Sequence, residues 1–399
     1  MPRSRKSSEP LSAVPAASGY TMPAEWEPHA ATWLAWPHNH DDWPGKFEPI
    51  PWVYAEIIRN LARHERVELL VNNARAQTQA RKLLKLANAL TPNVRFHRWP
   101  TNRVWLRDSG CIFALVAKRR HSLAPHVSAG EAITGSKVPS EPALSKRSAP
   151  KGTPPSNEML ALNFRFNAWA KYNNYHHDEK IGSLMATAAK TEAIRPHHRN
   201  TRIVLEGGSI DVNGEGTILT TEECLLSKLQ QRNPGMQRKD YEKLFANYLG
   251  APHTIWLGKG IHGDDTHGHV DDLTRFVSPD TVVTMVAPNR TDINHNPLQD
   301  NLRRLQASTD QSGKKLNIVE LPMPGPVVFE QRRLPASYAN FYIANGVVLV
   351  PVFNDPNDRI ALNTLSALFP TREIVPIYSG DLIWGLGTMH CMTQQQPSV

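Results

Sequence analysis

One pattern occurs three times in the second half of this chain, and it narrows the possible folds more than any composition does. Residues 203–205 are apolar and lead into Glu206-Gly207-Gly208-Ser209; the strand-like run 210–212, the pair Asn213-Gly214 and the run 217–220 follow. Asn-Gly between apolar runs is a strong hairpin signal, because glycine takes positive φ without steric cost. The spacing then predicts a helix over 238–249 and a strand over 254–257. The same order returns as a strand ending at 277, a turn at Pro279-Asp280, a strand over 281–286, a helix over 297–307 and a strand over 316–321. It returns again as 338–343, Asn345-Gly346, 347–353, a helix over 359–368 and a strand over 373–377. Each copy is about 40 to 55 residues long, a period expected of units stacked about an axis. Apolar runs around Ala30 and Cys111 read as looser copies, which would make five. Loops from successive units would then converge at one end of a central channel, bringing Asp108, Glu206, His269 and Asp271 together.

The most chemically loaded stretch is Gly263-Asp264-Asp265-Thr266-His267-Gly268-His269-Val270-Asp271-Asp272. Beyond it the residues turn apolar, and 270–276 reads as a strand entering the core. His269 and Asp271, two apart, would then share a face. An imidazole beside a carboxylate suits acid/base chemistry. The same residues fit a solvated polar turn, or a divalent-metal site with His262, Asp264 and His267 as ligands.

The first half is less regular. It reads as a strand over 30–36, a helix from Pro51 to about His64, a strand over 67–71, a helix over 74–90 and a strand over 94–97. Trp105-Leu106-Arg107-Asp108-Ser109-Gly110 then leads into a strand over 111–116. The net charge of +8 is concentrated in two places. Residues 1–20 carry three basic groups and one acidic, and residues 118–158 seven basic and three acidic. Both are rich in Ser, Pro and Ala, so 1–18 reads as a disordered tail and 118–158 as a low-complexity insertion loop within a domain spanning 19–397. This placement argues against a nucleic-acid surface. No apolar run approaches the ~20 residues of a membrane span, and no apolar region follows Arg3, Arg5 and Lys6 as it would in a secretory signal. Three cysteines, Cys111, Cys224 and Cys391, make no disulfide framework and suit the reducing cytoplasm.

Near the end stands Ile383-Trp384-Gly385-Leu386-Gly387-Thr388-Met389-His390-Cys391-Met392-Thr393-Gln394-Gln395. A free cysteine is ordinarily a buried small residue. Polar flanks and two nearby glycines instead suggest an exposed thiol at Cys391.

Six motifs, in order, resemble the agmatine deiminase family of the guanidine-modifying superfamily. They are Met22-Pro23-Ala24-Glu25-Trp26-Glu27-Pro28-His29, Trp105-Leu106-Arg107-Asp108-Ser109-Gly110, Phe166-Asn167-Ala168-Trp169, Glu206-Gly207-Gly208, Gly268-His269-Val270-Asp271 and His390-Cys391-Met392-Thr393-Gln394-Gln395. The resemblance implies a pseudo-fivefold α/β propeller (pentein) of ββαβ-type units around a central channel. It implies Cys391 as nucleophile, His269 as general acid/base, Asp108 and Asp271 as the carboxylates holding a guanidinium, and Glu206 as a further acid. No cofactor or metal is implied. The expected partner is a small cationic guanidino substrate: agmatine first, with free or peptidyl arginine as alternatives. A homo-oligomer is compatible with the sequence. Two departures from the family pattern are Cys111, where proline is usual, and the sparser glycines of Gly385-Leu386-Gly387. A rival of another class is a non-catalytic RNA- or ribosome-associated protein of the same fold, which would have no need of the Cys391, His269, Asp108, Asp271 set.

Overall fold

The computed structural model describes residues 14–116 and 158–399. The insertion expected at 118–158 lies outside these residues except for Glu158, as do residues 1–13 of the expected tail. The rest of that tail is not disordered: Pro15–Ser18 form a 3-10 helix and Pro15 is buried.

Five sheets of three or four strands occur among the described residues, and all follow one rule. In each, a central strand pairs antiparallel on one side and parallel on the other. Three sheets are the repeats read from the sequence. Thr217–Thr221 lies between Asp211–Val212 and His253–Leu257, Thr281–Val286 between Thr274–Ser278 and Asn317–Pro322, and Val347–Val352 between Tyr342–Ala344 and Glu373–Tyr378. A parallel neighbour requires a crossover, and helices supply it: Arg238–Leu244, His295–Ala307 and Asp358–Leu368. The central strands are almost wholly buried, and their Val, Ile, Leu, Met and Thr residues, with no charged side chain, suit strands covered on both faces. The expected helix over 238–249 changes pitch, running on from Leu244 as a π-helical turn, Phe245–Leu249, that ends at Gly250 in the left-handed region.

The two looser copies are also present. Ile112–Val116 and Met159–Leu162 form an antiparallel pair extended by Tyr20–Thr21 and Glu192–Ile194. His29–Ala35 pairs parallel with Arg66–Leu70, which pairs with Val94–His97, and helix Ile50–Leu61 provides the crossover. The antiparallel partner of His29–Ala35 comes from the other end of the chain: Gln394–Pro397, with Trp33 opposite Gln394. The last strand thus completes the first unit and fixes the segment just before it, which carries Cys391.

A single helical turn precedes the strand that opens each unit. These turns are Leu106–Ser109, Gly207–Ser209, Val270–Asp272, Tyr338–Asn340 and Met389–Met392. Each touches the next in that order, and the fifth touches the first. Two sequence expectations change here. The strand expected from Val270 begins only at Thr274, and the strand expected from Tyr338 begins only at Tyr342. In both, a short 3-10 turn takes the residues that the sequence assigned to the start of the strand. Among the described residues no helix is long and apolar enough to cross a membrane.

Candidate active site

The ring of helical turns gathers the candidate residues. Asp108 comes from the first turn, Glu206 from the residue before the second, His269 and Asp271 from the start of the third, and Cys391 from the fifth. All five are buried. His269 Nδ1 lies 3.9 Å from Asp108 Oδ2 and 4.0 Å from Asp271 Oδ1, and its Nε2 lies 4.0 Å from Glu206 Oε2. Cys391 Sγ is 3.7 Å from Asp271 Oδ2. His269 and Asp271 do face the same space, through a 3-10 turn and not through strand alternation. The thiol of Cys391 is not exposed; it lies at the inner end of a cavity.

Glycine is required at the second turn. A Cβ on Gly208 would fall 2.5 Å from His269 Nδ1 and 3.0 Å from both Asp108 Oδ1 and Asp271 Oδ2. Its bare backbone lets the three side chains meet, and its N–H donates to Asp108 Oδ1 at 3.0 Å. Trp169 Nε1 donates to the other oxygen of Asp108 at 2.8 Å. Trp169 and both its neighbours have positive φ, a conformation costly for non-glycine residues and often found at functional sites.

Behind the site lies a layer of buried charge. His390 Nδ1 bonds Asp271 Oδ2 at 2.7 Å and its Nε2 bonds Glu25 Oε2 at 2.8 Å. Glu25 accepts further from Arg107 Nη2 at 3.1 Å, Arg275 Nη2 at 2.9 Å and the Ile343 N–H at 2.9 Å. Arg232 donates to Glu206 Oε1 at 3.0 Å. Asn340, from the fourth turn, donates to Asp272 Oδ1 at 3.0 Å and to Cys391 Sγ at 3.1 Å, while its Oδ1 accepts from Thr388 Oγ1 at 2.8 Å and the His390 N–H at 3.1 Å. Sequence reasoning gave no role to Asn340, Trp169, Arg232, Glu25 or His390. Trp169, Glu25 and His390 stood inside quoted motifs, and Asn340 ends the fourth turn, in a stretch that reads as strand in the sequence.

This layer sets the proton affinities. Burial pushes the Asp108 carboxyl up to about 6, with Asp271 and Glu206 adding to the rise and His269 opposing it. Burial also acts to raise Asp271, but the His390 hydrogen bond and the charges of His390, His269 and Arg275 outweigh it and hold Asp271 below the usual carboxylate value. Desolvation alone would lower His269; Asp108, Cys224 and Asp271 overcome it and hold the ring protonated. Burial, then Asp271, Asp272 and Asp108, hold the Cys391 thiol well above its ordinary value, so the sulfur keeps its proton when no cation is present.

Four polar atoms at the centre lack any hydrogen-bond partner: His269 Nδ1 and Nε2, Asp271 Oδ1 and Glu206 Oε2. Burying such groups unpaired is costly, so they point to a ligand that pairs them. The cavity above them is about 460 Å³ and reaches Asp108 and Cys391. Trp105, Trp169 and Trp384 line it with Asp41, Asp42, Asp265, Arg103, Lys171 and Arg332. Lys171 bonds Asp265, and Arg103 lies 3.8 Å from Asp42. The metal set suggested by the sequence does not assemble. Asp264 instead accepts N–H groups from Thr266, Gly268 and His269, closing its own loop, and His267 bonds Ser227.

Residues 21–397 match the model of the Porphyromonas-type peptidyl-arginine deiminase family. An agmatine deiminase of Pseudomonas aeruginosa is 30% identical over 413 residues, spanning 96% of this chain and 97% of its own. One of Pseudomonas syringae pv. tomato is 30% identical over 411 residues, spanning 97% and 98%. Among solved structures, the agmatine deiminase of Enterococcus faecalis superposes with a TM-score of 0.80 at 26% identity, covering 97% of this chain and 98% of that one.

Proposed function

The chain belongs to the Porphyromonas-type peptidyl-arginine deiminase family, and we propose that it hydrolyses agmatine to N-carbamoylputrescine and ammonia through a covalent intermediate on Cys391. The carrying observation is the set of unpartnered buried atoms on His269, Asp271 and Glu206, beside Asp108 and Cys391. A planar, permanently charged guanidinium satisfies such a set: its N–H groups bond carboxylates in pairs and its charge offsets theirs.

In this reading Asp108 and Asp271 grip the guanidinium and present its carbon to sulfur. Burial and three acids hold the thiol protonated, and the arriving cation counters the acids, so ionisation of Cys391 is coupled to binding. The thiolate adds to the guanidinium carbon. Protonated His269 gives its proton to the departing nitrogen, which leaves as ammonia. The amidino carbon remains bonded to sulfur. Neutral His269 then takes a proton from water, hydroxide adds to that carbon, and the C–S bond breaks to release the thiolate while the new hydroxyl gives its proton to solvent, leaving the neutral ureido product. Glu206, held by Arg232, steadies the charged imidazole. Asn340 holds the sulfur in line and supplies a hydrogen bond to the thiolate. The five similar sheets, with their short turns in contact, support a pseudo-fivefold α/β propeller in one domain over 19–397, and we place the enzyme in the cytoplasm.

Agmatine is favoured by the names of the relatives and by the engagement of Arg103 and Lys171 with Asp42 and Asp265, which leaves the exposed Asp41 to meet a distal ammonium. Arg332 favours a second reading: its guanidinium stands at the cavity wall, 5.7 Å over the Trp384 ring, where an arginine carboxylate could meet it. Comparing kcat/KM on agmatine and arginine tests the choice. Agmatine should be preferred by tenfold or more on the strength of one well-placed charge (about 1.4 kcal/mol). Turnover of arginine alone would overturn the agmatine assignment.

A further inference from the structure

Cys224 is a buried free thiol that the proposed reaction does not use. It lies on the short helix Glu222–Leu226, and its N–H donates to Thr221 Oγ1 at 3.1 Å. The Thr221 hydroxyl in turn donates to the Gly268 carbonyl at 2.5 Å, which ties this helix to the loop carrying His269. Glu206, Cys224 and His269 each direct one donor atom inward, and the three atoms lie within 4.8 Å of one another. Two of them, Glu206 Oε2 and His269 Nε2, have no hydrogen-bond partner, and both side chains are 1% exposed.

We infer that Glu206, Cys224 and His269 form a site for a thiophilic divalent cation of the zinc type, which inhibits the enzyme by capturing His269. One sulfur, one nitrogen and one oxygen with a fourth position open is a donor set zinc accepts. Bonds of about 2.0–2.3 Å put tetrahedral donors roughly 3.3–3.8 Å apart, so the trio has to close by about an ångström. Charge favours this: Glu206, Asp108 and Asp271 each place a carboxylate oxygen within 4.0 Å of a His269 ring nitrogen. The bound ion takes the thiolate of Cys224 and the neutral ring of His269, so the thiol and the imidazolium release one proton each to solvent. Capture of His269 by the ion removes the imidazole that faces Asp108 and Asp271, so the ion and the guanidinium exclude each other. Asp271, Asp272 and Cys391 form a second cluster of this kind, so the test must separate the two.

Cadmium(II) titration of the full chain, followed by thiolate-to-metal ultraviolet absorption, does so. Cys391→Ser should still bind one cadmium per chain. Adding Cys224→Ser should weaken binding at least tenfold. Agmatine should compete with cadmium in the Cys391→Ser chain, which cannot consume it. Binding that survives Cys224→Ser and disappears with Cys391→Ser would put the ion on the nucleophile and overturn the assignment, as would no binding by Cys391→Ser with native circular dichroism. Should Cys224→Ser lose its native circular dichroism, histidine ring-nitrogen shifts of the wild-type chain decide: movement of His269 Nε2 on adding cadmium supports the site, and an unmoved Nε2 overturns it. Failure of agmatine to compete, with cadmium still bound through Cys224, would tell against agmatine and not against the metal site.

Discussion

Replacing Gly208 with alanine tests the geometry at its tightest point. The added methyl carbon would sit 2.5 Å from His269 Nδ1, where ordinary contact begins at 3.4 Å. The imidazole would have to retreat by about 0.9 Å, and a misplacement of ~1 Å at a reacting group costs roughly 10²-fold in rate. Asp108 Oδ1 and Asp271 Oδ2, each 3.0 Å from the same methyl, must yield as well. Overpacking of a tight interior costs about 1–3 kcal/mol, which a chain of this size should survive folded. The assay is ammonia release from agmatine across a substrate series, with a thermal melt of the same preparation. The expected result is a folded protein whose kcat/KM has dropped by about 10²-fold, most of it in kcat. A kcat/KM within about threefold of wild type would mean that His269, Asp108 and Asp271 do not act on a common substrate group around this glycine.

Three further outcomes follow from the surrounding layers. Glu25→Gln removes the carboxylate shared by Arg107, Arg275 and His390, and chemical denaturation should show a loss of about 3–5 kcal/mol. Although burial opposes it, those partners hold the Glu25 carboxyl well below its ordinary value. Its stabilisation is therefore full above the unfolded carboxyl's titration and is lost as pH falls through the lower folded value, so the acid limb of the wild-type stability curve should flatten in Glu25→Gln. Trp169→Phe deletes the N–H that stabilises ionised Asp108, which burial has already pushed up to about 6. The rise of kcat/KM with pH should start near 6 in wild type and move upward by about one unit in the variant, the worth of a hydrogen bond to a charged group. Asn340→Ala removes the amide that bonds Cys391 Sγ, and should slow both turnover and alkylation of Cys391 by about tenfold or more while Asn340→Asp restores little, since it returns no N–H donor.

The repeat was legible because it rests on local chemistry: apolar runs of strand length, turn pairs such as Asn345-Gly346, and helix-spaced stretches between them. Gly346 has φ +73°, as its turn requires. The gathering of Asp108, Glu206, His269 and Asp271 was legible for the same reason, since each stands in or just before the short turn that opens its unit. The helical turns were not. Val270–Asp272 runs directly into the apolar strand residues that follow, and the contacts of this turn with its neighbouring turns are tertiary, which no local pattern announces. The burial of Cys391 was hidden by its polar neighbours, because the strand that holds Gln394 and Gln395 pairs with Trp33 and Thr32 at the other end of the chain. Gln395 accepts from Arg107 Nη1, and no periodicity foretells such a bond. Arg232 was missed likewise: it lies in an irregular loop, and its significance arises only where it meets Glu206.

The central claim is that Cys391 attacks a guanidinium held by this cluster of buried acids. Ammonia release from agmatine by the wild-type chain and by Cys391→Ala, measured side by side with a chelator present, tests it most directly. The account predicts steady release by wild type and none above background by Cys391→Ala, with both proteins equally folded. Release by both, or release abolished by the chelator and restored by metal, would contradict it.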